Sequence, residues 1–235
     1  MAGPIFSLLT VLVVVTIVTI PGVCARWNNM QRLNRFQKKY NNSQSDIVFL
    51  LDVSGSVSNY GFSKEKEFIK SLLNYASVQP FATRVSVVTF GKYIREEIDY
   101  VDYKGADKDK CTFNTEFARV KHRYGRATNI NGAFKQAKSI LQGSKDKGVK
   151  RDNVNTAVVL LTDGQANMGE SWWDTATKTA KKLRDRSTYD AEIFSVGVGW
   201  VNQRKLTDYA GSDENVIIAR NFNEFADLAT RIRGG

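Results

Sequence analysis

Two apolar runs constrain this chain most. Ile47 to Leu51 reads IVFLL and Ala157 to Leu161 reads AVVLL, and an aspartate stands directly or two places beyond each, Asp52 and Asp163. A strand apolar on both faces belongs in a parallel sheet covered by helices on both sides. TRVSVVTF (83–90), AEIFSVGVG (191–199) and NVIIA (215–219) read as further strands. FSKEKEFIKSLLNYA, NINGAFKQAKSIL, SWWDTATKTAKKLRDR, QRKLTDYA and NEFADLATRI read as helices between them, with an irregular one over 112–124. YIREEIDY alternates and predicts a half-exposed antiparallel edge strand. The expected fold is α/β: a doubly wound, mainly parallel sheet with one antiparallel edge strand and helices on both faces.

The chain's 235 residues suit one domain with extra sequence. Residues 1–25 carry no charged side chain, hold a long apolar run and end in Val23-Cys24-Ala25, which reads as a cleaved secretory signal. The rival is an uncleaved anchor, although Ile5 to Ile20 falls short of the ~20 residues of a spanning helix. Cleavage leaves a secreted, extracellular chain with no membrane segment and a single cysteine, Cys111. That residue is a free thiol, a bond to another molecule or a buried inert group, and a disulfide framework is excluded. Residues 26–45 form a basic arm or linker with Arg26, Arg32, Arg35, Lys38 and Lys39 and no acid. Trp27, Met30, Leu33, Phe36 and Tyr40 recur at helical spacing. The arm reads as solvated, or packed on the domain beside it, in preference to lying on an anionic surface. Asn41-Asn42-Ser43 is a glycosylation sequon, and residues 46–233 form the domain.

In open α/β sheets ligands bind beyond the carboxyl ends of the strands, where strand order reverses. Asp52-Val53-Ser54-Gly55-Ser56 follows the first strand, and in an extended loop positions 52, 54 and 56 face one way. Gly55 is expected to allow a tight bend there. Thr128 precedes a helix, and Thr162-Asp163-Gly164 ends the second apolar run. Asp52, Ser54, Ser56, Thr128 and Asp163 thus supply two carboxylates and three hydroxyls, with no His or Cys. This hard oxygen set disfavours zinc and copper and suits Mg²⁺ or Mn²⁺; Ca²⁺, which takes more oxygens, stays open. One DxSxS alone is weak, because Asp and Ser also cap helices and close turns. Three such positions, each where the architecture needs it, make the signal. The ion would remain electrophilic and take a further oxygen from a partner's carboxylate.

The formal net charge is +10 and the sequence pI about 9.6, which favours acidic partners. Sulfated glycans or acidic matrix components, bound without metal, are the alternative reading; nucleic acid is set aside for a secreted chain. His122, the one histidine, stands with Lys121, Arg123 and Arg126 in a cluster that reads equally as ligand-steering or as a solvated loop. Enzymatic readings fare poorly. The chain has no GxxxxGK[ST], GVG at 197–199 is too short for a dinucleotide site, and Ser54 stands where an aspartate-nucleophile hydrolase would carry a second Asp. Ser54 also has no plausible general base, since the single histidine is distant from it.

DVSGS at 52–56, Thr128 within GRATNINGAF and TDG at 162–164 give residues 46–233 a resemblance to von Willebrand factor type A domains, shared by integrin inserts, matrilins and several collagens. VDYKGADKDKCTF and HRYGRATNINGAFKQA are similar to the type A module of the sushi–EGF–pentraxin matrix proteins. The resemblance implies a metal-ion-dependent adhesion site. Ser54, Ser56 and Thr128 would touch the ion by their hydroxyls, and Asp52 and Asp163 directly or through water. It implies a non-enzymatic adhesion module whose partner is an extracellular matrix or cell-surface protein offering a carboxylate. It also implies movement of the last helix, here Asn223 to Ile232, although Phe222, Phe225, Leu228 and Ile232 read as ordinary core. Trp172-Trp173, at the start of the helix after TDG, is a candidate contact.

Overall fold

The structure is a computed structural model and describes residues 21–41, 43–105, 107–164, 166–168 and 174–234. The two apolar runs become β1 (Ser45–Asp52) and β4 (Asn155–Thr162), paired in parallel from Ser45↔Asn155 to Leu51↔Leu161. With β2 (Thr83–Phe90), β3 (Ile94–Asp99), β5 (Ala191–Val198) and β6 (Val216–Ala219) they form one sheet in the order β3-β2-β1-β4-β5-β6. All pairs are parallel except β2 with the edge strand β3. The chain builds outward from β1 to β3 on one side, then from β4 to β6 on the other. The reversal of strand order therefore falls between β1 and β4.

Helices cover both faces, as runs apolar on both sides require. On one face α2 (Asn59–Leu72), α3 (Lys110–Arg119) and α7 (Phe222–Gly234) pack with Phe49, Leu51, Val85, Val87, Val159 and Phe194. On the other, α4 (Ile130–Asp146), α5 (Asp174–Arg184) and α6 (Gln203–Ala210) pack with Val48, Leu50, Val88, Val158, Leu160 and Ile193. Phe225, Leu228 and Ile232 of α7 are core, and the Phe225 ring lies 4.4 Å from that of Phe68 on α2. Among the described residues no helix is long and apolar enough to cross a membrane. Residues 1–20 of the expected signal lie outside the described residues.

The basic arm is an integral helix and not a linker. α1 (Pro21–Tyr40) begins inside the segment read as a signal, and Leu33, Phe36 and Tyr40 are buried in the first core. The Phe36 ring meets Phe194 of β5 edge-on at 5.0 Å. Arg35 and Lys39 reach Glu192 at 2.5 and 2.9 Å, and Tyr40 donates to the same carboxylate at 2.7 Å. Burial would raise the Glu192 pKa; the hydrogen bonds from Lys39 and Tyr40 and the Lys39 charge outweigh it and hold it down at about 2. α1 is thus packed on the domain expected at 46–233, one of the two arrangements expected for the arm. Asn41 of the sequon is only 8% exposed, and its Nδ2 donates to Leu72 O at 3.0 Å. Cys111 is exposed and unpaired.

Because Phe36 is buried between α1 and β5, Phe36→Ala should cost about 3–5 kcal/mol of unfolding free energy. Urea denaturation checks this; a loss within ~0.5 kcal/mol, the size of a surface substitution, would mean the arm is not part of the fold.

Candidate metal centre

β1 ends at Asp52, which is 0% exposed, and neighbouring β4 ends at Thr162. Asp52 Oδ1 accepts from the Ser54 amide at 2.8 Å and Oδ2 from Thr162 Oγ1 at 2.6 Å. Burial pushes the Asp52 carboxyl up to about 6; the bonds from Ser54 and Thr162 oppose that shift, and the charge of Asp163 adds to it. Ser54 Oγ lies 3.0 Å from Ser56 Oγ, which donates to Asp163 Oδ1 at 2.7 Å. Asp163 is also pushed up by burial, with the Ser56 bond opposing. The strand ends thus join the DVSGS and TDG segments into one continuous set of oxygens.

The Thr128 loop is drawn to the same place by backbone contacts. Gly125 N donates to Val53 O at 2.7 Å, and Asn129 N to Gly91 O at 3.2 Å. A Cβ on Gly125 would stand 3.0 Å from Gly91 Cα and 3.2 Å from Val53 O, so glycine permits this approach. Asn167, three residues after Gly164, clamps Thr128 from the other side. Its Oδ1 accepts from the Thr128 amide at 2.8 Å, and its own amide donates to Thr128 O at 3.1 Å. Asn129 caps α4 by accepting from Gly132 N at 2.8 Å. All five expected residues therefore lie in three loops tied to one another. Gly55 sits in the expected bend, closed by Val57 N donating to Ser54 O at 3.2 Å, but it lies outside the left-handed region and a Cβ there would just clear Gly125 O at 3.4 Å. Gly91 and Gly125 meet the close-approach requirement instead.

Three further features bear on the site. His122 is remote in sequence yet half-buried at the site, its ring 5.5 Å from Phe62 and 4.4 Å from Tyr124. Burial lowers its pKa, while the Ser54 backbone and the Asp163 charge act to raise it. It is a packed member of the site, not part of a solvated cluster. Neither ring nitrogen of His122 has a hydrogen-bond partner among the described residues, and the Ser54 hydroxyl lies against that of Ser56 at 3.0 Å. Glu65 of α2 is wholly buried in the fields of Asp52 and Asp163. Asn167 is the third. Its place shortly after TDG was a signal, but an asparagine in a loop has many other uses. Trp172-Trp173 lie outside the described residues.

A comparison inside the chain shows what this end of the sheet needs. Asp46, at the start of β1, is buried too, but Arg84 reaches it at 2.8 and 2.6 Å and Arg151 at 2.6 Å. Among the described residues no ion pair reaches Asp52 or Asp163. Nor is there, among the described residues, a group of three His, Cys, Asp or Glu close enough to hold an ion together. A site of two carboxylates and three hydroxyls is what remains. Its charge and hard donors fit a small divalent cation that keeps some water.

Thr162→Val should remove a partner from buried Asp52 while keeping the side-chain shape. The expected cost is about 1–3 kcal/mol of unfolding free energy in EDTA, read by thermal denaturation. An unchanged stability would show that Asp52 does not depend on that bond.

The von Willebrand factor type A domain profile matches residues 46–231. The chain is 34% identical over 191 residues to the sushi, von Willebrand factor type A, EGF and pentraxin domain-containing protein 1 of Mus musculus, covering 79% of this chain and 5% of that protein. It is 26% identical over 193 residues to matrilin-2 of Mus musculus, covering 80% of this chain and 19% of the other. The chain thus spans a small part of these curated relatives. Its fold is similar to that of proximal thread matrix protein 1 from the mussel byssus with a zinc-occupied MIDAS motif, at TM-score 0.63 and 21% identity over 81% of this chain and 45% of the other. It is also similar to the manganese-loaded Plasmodium vivax TRAP protein, at TM-score 0.60 and 23% identity over 82% and 74%. Sheet order, site placement and sequence agree: this chain belongs to the von Willebrand factor type A domain family.

Proposed function

We propose that this chain is a secreted, extracellular, divalent-metal-dependent protein-binding module with no catalytic role. Asp52, Ser54, Ser56, Thr128 and Asp163 would hold Mg²⁺ or Mn²⁺, with Ca²⁺ a weaker fit. The observation that carries this is the contrast between Asp46, neutralised by two arginines, and Asp52, equally enclosed with no cationic side chain paired to it among the described residues. An ion there supplies a positive centre able to accept a carboxylate oxygen from a matrix or cell-surface partner. The residues do the rest: Asp52 and Asp163 give the charge, Ser54 and Ser56 turn from bonding each other to offering lone pairs, and Asn167 keeps Thr128 in place. The zinc-occupied and manganese-loaded sites named for the two fold neighbours support the reading.

The surroundings suit a protein partner. Tyr60, Tyr93, Tyr124 and Trp200 are exposed, Trp200 at 99%, and each follows the carboxyl end of a strand or lies in the loop before α4. They rim the end of the sheet that carries the site. Exposed aromatics around a central anchor are typical of hot-spot residues. Exposed Lys121 and Arg126 beside Thr128 would draw an acidic ligand in. A second reading has one specific observation behind it: Lys135 of α4 and Lys178, Lys181 and Lys182 of α5 are exposed or half-exposed on adjacent helices, a surface suited to sulfated glycans.

Binding to a panel of immobilised matrix proteins in Mg²⁺ separates the two. EDTA or Asp52→Ala should weaken the interaction by about thirtyfold or more, the size of a hot-spot loss, with a smaller effect of high salt. Indifference to EDTA with a steep salt dependence would favour the glycan reading. Protons should compete with the ion for Asp52, whose carboxyl is raised to about 6. Metal affinity should hold above that pH and fall about tenfold per unit below it, as calorimetric titration would show. A flat profile down to pH 5 would contradict the role of Asp52.

A further inference from the structure

The most anomalous group in the molecule is Glu65. It is 0% exposed, and among the described residues neither carboxylate oxygen has a hydrogen-bond partner. Its lysine neighbours do not serve it: Lys64 pairs with Glu67 at 2.8 Å, and Lys66 donates to Ala118 O and Val120 O at 3.0 Å. α2 starts at its cap Ser58, directly after the DVSGS loop, so Glu65 lies about 10 Å along the helix from that loop's end. It shares the sheet-facing side of α2 with Phe62 and Ile69, and the Phe62 ring packs on His122 beside Ser54 and Asp163. Burial first, then the like charges of Asp52 and Asp163, push the Glu65 carboxyl well above the usual range. Leu or Met would complete this apolar face at no such cost. A buried carboxylate with nothing to accept from calls for an ion or ordered water as its partner. Among the described residues, Glu65 and the two aspartates do not form a group that could hold an ion together as direct ligands.

We propose that Glu65 is the inner carboxylate of the metal centre, accepting hydrogen bonds from water on the buried side of a hydrated divalent cation. This rests on the metal-centre reading above. Glu65 is a positioning residue: it adds a third negative charge behind Asp52 and Asp163 and orders the ion's inner water. Without the cation, the Glu65 carboxyl is a buried polar group with no partner among the described residues, so the centre trades stability of the empty protein for affinity when loaded.

The test compares wild type, Glu65→Gln and Glu65→Met, with Mn²⁺ as the probe. Affinity is read by the electron paramagnetic resonance signal of free Mn²⁺, and stability by thermal unfolding in EDTA. Both variants should bind Mn²⁺ about 10–100-fold more weakly, the usual loss for an outer-shell partner. In EDTA both should melt higher than wild type by about 2–4 °C or more. Mn²⁺ affinities within about twofold of wild type would overturn the proposal, even with the higher melting point, because a merely misplaced core acid would behave that way. Variants that melt lower in EDTA would also overturn it, by showing that Glu65 supports the empty fold. Wild type taking up no Mn²⁺ would overturn the metal-centre reading itself, and this inference with it.

Discussion

Two carboxylates meet at the ends of adjacent parallel strands, among the described residues without a side-chain cation between them, and the rest of the structure is arranged around that meeting. Strand order makes it unavoidable. β1 and β4 are neighbours, but the chain leaves them toward opposite edges, so a crevice opens above both carboxyl ends. Asp52 and Asp163 flank that crevice, and the Thr128 loop closes it through Gly91 and Gly125. At the other pole of β1 the chain resolves a similar charge problem internally, with Arg84 and Arg151 on Asp46. The same strand therefore carries one buried acid that is part of the scaffold and one that is available for chemistry.

The scaffold also needs more chain than the family match covers. The match begins at residue 46, yet the sheet face over β5 and β6 is completed by α1. Phe36 and Tyr40 fill the space against Phe194, while Arg35 and Lys39 converge on Glu192. Asn29 and Arg32 donate to the carbonyls of Ile218 and Val216 along β6. Much of the arm's positive charge is thus spent inside the molecule, and the net charge of +10 overstates what a partner would meet.

Much of this was legible in the sequence because it is carried by periodicity. Strands apolar on both faces implied the parallel sheet, the alternation in IREEID implied its antiparallel edge, and the acids and hydroxyls after two strands and before α4 marked the three segments that the structure ties together. What was missed depends on partners far along the chain. The arm's packing was one of two readings left open, because the partners of its charges, Glu192 and Glu214, come more than 150 residues later. His122 reached the site through packing on Phe62, which no local pattern encodes. Glu65 was hidden inside the charge run KEKE, although its spacing from Phe62, Ile69 and Leu72 puts it on the buried face. A charged residue at a core position of an otherwise regular helical stripe was the available signal. The exposed aromatics near the site were unreadable for another reason, since exposure of a single Tyr or Trp is set by tertiary contacts alone.

The central claim is that one divalent ion sits where the three loops meet. Its most direct test is anomalous X-ray scattering at the manganese edge from crystals grown with Mn²⁺. The account predicts a single peak bounded by Ser54, Ser56, Thr128, Asp52 and Asp163, with hard-donor oxygen distances of about 2.0–2.2 Å. The absence of a peak there, or a peak elsewhere on the domain, would contradict it.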